Sequence, residues 1–161
     1  MKILVEKSRF NRRMKLGFHF ALIFLTTFGF TAFGQTKDQL AAAEGLLKNV
    51  PTAEIAAKAA EFVSNAPTKE IMLNVAVSVT RAVGKLKPEV LSATVAAVIS
   101  ASPVHAPAVV TAAMLSVPAK ALDVITVASH VPGVESKDLI PIALAAAPKG
   151  MAKEVFAVLN R

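Results

Sequence analysis

Pro51-Thr52-Ala53-Glu54-Ile55-Ala56-Ala57-Lys58-Ala59-Ala60-Glu61-Phe62-Val63-Ser64-Asn65-Ala66-Pro67-Thr68-Lys69-Glu70-Ile71 is the stretch whose reading decides the fold. Its opening pentad returns sixteen residues later as Pro-Thr-x-Glu-Ile at 67–71. A Ser or Thr followed two residues on by an acid reads as a helix start. The hydroxyl can accept from the free N–H groups of a first turn, and the carboxylate meets the positive end of the helix dipole. The same pattern stands at Thr36-Lys37-Asp38 and Ser136-Lys137-Asp138, and Thr36 with Gln39 fits a capping box. Between the two pentads Ile55, Ala59, Phe62 and Val63 share one helical face, with Glu54, Lys58 and Glu61 mostly on another.

Working outward, seven prolines punctuate the chain at 51, 67, 88, 103, 118, 132 and 148, separated by 14 to 21 residues rich in Ala, Val, Leu and Ile. Each interval reads as a cap, a helix of about ten to thirteen residues and a proline turn. The pattern predicts helices near 37–49, 52–64, 68–83, 88–101, 106–116, 118–130, 137–146 and 149–160. Gly84 is expected to close the third as a left-handed C-cap. Pro107 and Pro141 read as first-turn prolines that start their helices late. Residues 74–80, Asn-Val-Ala-Val-Ser-Val-Thr, alternate as a strand would, but no Asn-Gly or Asp-Gly hairpin turn occurs and the caps favour helix.

Helices this short are marginal alone in water, so they must pack side by side. The expected fold is all-α: about eight short antiparallel helices in an α-solenoid-like array, with a compact helical bundle as the alternative. Residues 90–119 contain no Asp, Glu, Lys or Arg. A helix apolar all round is either central or a contact surface. The possible contact surface is therefore placed at Val104, Val109, Val110, Met114 and Leu115. Near the C-terminus Met151, Val155, Phe156 and Leu159 form an apolar stripe.

The N-terminal third of the charge belongs to a different segment. Residues 1–34 hold six of the 18 Lys and Arg, one of the 11 acids and seven of the nine Phe. A basic stretch ending at Lys15, an apolar run over 16–33 and Ala32-Phe33-Gly34 make the three parts of a secretory signal. Cleavage is expected between Gly34 and Gln35, leaving residues 35–161 as a single exported helical domain, periplasmic or extracellular. An uncleaved membrane anchor, a twin-arginine signal at Arg12-Arg13 and a start at Met14 are the alternatives.

Without residues 1–34 the formal charge falls from +7 to +2, and Phe62 and Phe156 are the remaining aromatics. Phosphate binding needs clustered cations, and single-strand binding adds stacking rings. Nucleic acid is therefore not an expected partner. The chain has no cysteine, which excludes disulfides, thiolate nucleophiles and Cys-ligated metal. His105 and His130 lie beside proline turns, and His130 suits a helix C-terminus. Two histidines lack a zinc ligand set. The acids, Asp123 included, fall mostly at helix starts, and neither a phosphate-cradling Gly-rich loop nor a nucleophile elbow is present. No catalytic residue, cofactor or metal is expected. The reading is an exported non-enzymatic protein that binds or scaffolds another protein or itself. The alternative is a membrane-associated or self-assembling helical protein, whose lysines near both ends meet anionic lipid.

Overall fold

The computed structural model describes residues 37–160. The expected export segment, its expected cleavage site at Gly34 and Gln35, and the expected cap at Thr36 lie outside the described residues. Eight α-helices follow one another, with no strand among the described residues: α1 Lys37–Leu47, α2 Ile55–Ser64, α3 Lys69–Leu86, α4 Leu91–Ala101, α5 Ala106–Ser116, α6 Ala121–Ser129, α7 Ser136–Ala146 and α8 Ala152–Leu159. The alternating stretch at 74–80 is the middle of α3.

The prolines act through a recurring piece of backbone. Lys87, Ser102 and Val117, each preceding a proline, are extended at φ −148°, −153° and −139°. Proline sterics keep the preceding residue out of the helical region. A single 3-10 turn follows at Pro88–Val90, Pro103–His105 and Pro118–Lys120, and then an α-helix begins. The turn closes each time through the same backbone bond: Val90 N–H to Lys87 O at 3.2 Å, His105 N–H to Ser102 O at 3.1 Å, and Lys120 N–H to Val117 O at 2.9 Å. Thr52–Glu54 makes a fourth such turn, closed by Glu54 N–H to Pro51 O. Proline lacks an N–H and has a preset φ, so it costs nothing where the turn has no acceptor for it.

Packing then builds two layers. α1, α3, α5 and α7 lie against one another in order, and so do α2, α4, α6 and α8, while consecutive helices cross between the layers. This solenoid-like stack gives each helix neighbours it does not meet in sequence. One continuous core runs between the layers, from Ala43 and Leu47 through Val83, Leu91, Ile99, Val109, Met114 and Ile125 to Leu139, Val155 and Leu159. Burial of such side chains, worth about 1.5–3 kcal/mol each, is what helices of 8 to 18 residues need in order to persist.

Several sequence expectations are corrected by this packing. Gly84 does not cap α3. The helix runs three residues beyond the expected end, and Gly84 is buried inside it. Its missing side chain serves a close approach of α3 to α5: a Cβ there would stand 2.7 Å from Ser116 Cβ. Pro141 lies in the interior of α7 rather than its first turn, near the helix start where its missing N–H leaves only the exposed Lys137 carbonyl without a helical partner. Pro107 does occupy the first turn of α5. Thr68 caps α3 by accepting from Ile71 N–H at 3.2 Å. Thr52 makes no such cap, because a 3-10 turn precedes α2; its hydroxyl instead accepts from Lys87 Nζ at 3.2 Å. Ser136 is the first residue of α7 and does not cap it either. Phe156, placed in the apolar stripe of the last helix, is 53% exposed, while Val155 and Leu159 are buried.

Candidate functional site

α5 lies at the centre of its layer, between α3 and α7. Of the five residues proposed from sequence as a contact surface, Val109, Val110 and Met114 are wholly buried in the core. They are withdrawn from any surface, because neighbours in both layers cover those faces of α5. Val104 and Leu115 remain, 73% and 59% exposed. They stand at opposite ends of α5, whose eleven residues span roughly 16 Å, so they do not form one patch.

Leu115 belongs to a groove that the sequence reading missed. Thr111 and Leu115 of α5 face Pro141, Ile142, Ala145 and Ala146 of α7 across an open cleft of about 380 Å³. Apolar side chains make up nearly all of its lining. The Thr111 hydroxyl is turned back into its own helix, donating to Pro107 O at 2.9 Å. The cleft offers hydrophobic contact and shape, with no acid, base or ion among its lining residues.

Register explains why this surface is unusual for the molecule. Thirty residues earlier, Lys85 occupies on α3 the exposed position that Leu115 occupies on α5, each following three buried residues and preceding a proline turn. Lys85 reaches Glu44 of α1 at 2.8 Å and ties two helices of the layer at their solvent edge. Likewise Glu89 follows Pro88 where Val104 follows Pro103. At these two positions the charged Lys85 and Glu89 are matched by Leu115 and Val104.

Many of the hydroxyls and acids elsewhere are engaged in structure, while Gln39 Oε1 and the Ser92 hydroxyl are buried without a hydrogen-bond partner. Thr80 and Thr94, both wholly buried, donate to the carbonyls of Ala76 and Val90 four residues back. Ser100, Ser116 and Thr126 do the same with Ala96, Ala112 and Leu122. Asp38, Glu70, Asp123, Asp138 and Glu154 stand in first α-helical turns, and Glu54 and Glu89 in the 3-10 turns that lead into α2 and α4. Glu61 pairs with Lys58 at 2.8 Å, and Lys58 also lies 5.5 Å from the centre of the Phe62 ring. Glu135 pairs with Lys137. The hydrogen bond to Glu135, the charge of Glu135 and then that of Asp138 hold the Lys137 ammonium above the ordinary lysine value.

His130 forms the C-cap of α6, its Nδ1 2.7 Å from Thr126 O, where a ring N–H donates to a carbonyl that also accepts from Ser129 Oγ at 2.9 Å. His105 ends the 3-10 turn before α5, with its Nε2 buried and without a hydrogen-bond partner. Among the described residues no three His, Asp or Glu side chains come together as a metal-binding group. No described helix is long and apolar enough to cross a membrane.

Comparison with protein-family models, with curated proteins and with solved structures finds no match for this chain.

Proposed function

We propose that this protein is exported and acts without catalysis, as a helical scaffold that binds another protein through the α5–α7 groove. The observation that carries this reading is the groove itself, lined by Leu115, whose counterpart thirty residues earlier is the paired Lys85. Apolar side chains lining a concavity are the material from which binding surfaces are built. The engagement of Thr68, Thr80, Thr94, Thr111 and His130 in caps and back-bonds, and of Glu44, Glu61 and Glu135 in ion pairs, supports a structural rather than a catalytic use of them.

Export rests on residues 1–34, whose basic start, apolar run and small residues before Gln35 suit a cleaved signal. Mass spectrometry of the protein recovered outside the cytoplasm tests it, and the expected first residue is Gln35. Retention of residues 1–34 contradicts cleavage and favours the anchored form.

For the groove, the test is recovery of a partner by the tagged chain with and without Leu115→Asp. Leu115 is exposed, so the variant keeps its helical spectrum and melting temperature while recovery falls. Equal recovery by both forms removes the groove from the proposal. The alternative, a membrane-associated helical protein, predicts flotation of the processed chain with anionic vesicles at low salt; a chain that stays in the soluble fraction excludes it.

A further inference from the structure

The prolines at 88, 118 and 148 set a thirty-residue register that carries α3 onto α5 onto α7, and α4 onto α6 onto α8. Positions that match in this register have the same place in the stack, so differences in their burial report what lies beyond them. Val110 and Met114 of α5 are wholly buried. Their counterparts on α7 are Ile140, half-buried, and Leu144, 37% exposed. In the other layer Val124 of α6 is wholly buried, and its counterpart on α8 is the exposed Glu154. The last helix pair thus presents, uncovered, the face that every earlier pair covers with its successor.

The opposite end exposes a large apolar side chain among its charged residues. Leu46 of α1, the first helix of its layer, is 56% exposed. Stacks of this kind generally stay soluble by giving their terminal units a polar outer face. Here two of the exposed large hydrophobics, Leu46 and Leu144, sit on the terminal helices α1 and α7; Phe156 of α8 matches Thr126 of α6, which is exposed as well, and so is no part of this face.

We propose that the protein self-associates head to tail, the α7–α8 end of one copy seating the α1–α2 end of the next. The occupant is a second copy because the packing rule is already written into the chain. Each layer grows by laying a helix on its predecessor, and α1 following α7, with α2 following α8, continues both layers without changing the order. Such a contact is heterologous, so it propagates rather than closing as a two-fold dimer. It is independent of the α5–α7 groove.

The experiment is sedimentation of the chain beginning at Gln35, which holds every core residue. The weight-average mass rises with concentration past that of two copies. Leu144→Glu and Leu46→Glu each sediment as a monomer, with at least about a 100-fold weaker association, because a carboxylate would be desolvated in the contact. Mixing the two variants restores a one-to-one dimer that grows no further, since one intact end of each kind remains. A chain that stays monomeric throughout overturns the proposal. So does a Leu46→Glu variant that still dimerises, since that contact joins two α7–α8 ends, or a Leu115→Asp variant that loses assembly, which places the contact in the groove. Circular dichroism checks that each variant is folded, and Leu144→Asn replaces Leu144→Glu if the latter unfolds.

Discussion

Replacing Gly84 with alanine separates the two forces that set this fold. In the interior of a helix, Gly→Ala normally stabilises by about 0.5–1 kcal/mol, because glycine loses more backbone freedom on folding. At Gly84 the added Cβ meets Ser116 Cβ at 2.7 Å, and the obstacle is a backbone-anchored atom that has no rotamer to escape into. Overpacking of this kind costs about 1–3 kcal/mol. The expected sum for Gly84→Ala is a loss of up to about 2 kcal/mol, a fall of several degrees in melting temperature for a domain of this size.

Gly45→Ala provides the control. It sits in α1 with nothing within 4 Å of its would-be Cβ, so only the propensity gain applies. Ser116→Gly supplies the third corner, removing the obstructing atom at the cost of its hydrogen bond to Ala112 O. Urea unfolding of the two single variants and the double variant should show a coupling of about 1–3 kcal/mol, with Ser116→Gly recovering most of the Gly84→Ala loss. If Gly84→Ala stabilises as much as Gly45→Ala, or the pair is additive, α3 does not press against α5 and the layered packing is wrong.

Other substitutions probe the remaining joints. Val109→Asp, at a wholly buried position, should lose more than about 4 kcal/mol and its cooperative melt, whereas Leu115→Asp six residues on should stay within about 0.5 kcal/mol of the parent. Thr68→Ala should cost about 1 kcal/mol by removing the cap on Ile71 N–H. Lys87→Met should cost about 1 kcal/mol, since its ammonium donates to Val50 O at 2.9 Å and to Thr52 across the α1–α2 junction; hydrogen exchange should quicken around residues 48–52.

Proline punctuation made the helix count, order and approximate ends readable, because a proline constrains its own φ and the residue before it whatever the tertiary context. What punctuation could not show was the 3-10 turn at Pro51, Pro88 and Pro118, which displaces the α-helix by three residues and disarms Thr52 as a cap. Gly84 was misread for a related reason. A glycine near the end of a run suits either a left-handed cap or a close helix contact, and only the position of α5 decides between them. The contact surface was read least well. α5 is apolar all round, so no polar stripe marks its outer side, and Val109, Val110 and Met114 looked no more buried than Leu115. The groove joins residues of α5 to residues of α7 about thirty positions later, a distance over which spacing in the chain carries no face information. Comparing Leu115 with Lys85 in the thirty-residue register was the available signal, and it requires treating the proline turns as equivalent points.

Nuclear Overhauser contacts between Gly84 Hα and Ser116 Hβ in the processed chain bear on the layered stack most directly. The account requires a strong cross-peak for this pair, together with helical shifts through both residues, since the two atoms' carbons nearly touch across α3 and α5. Residue 84 showing contacts to its sequence-adjacent helices alone would mean that the short helices hold together in some other arrangement.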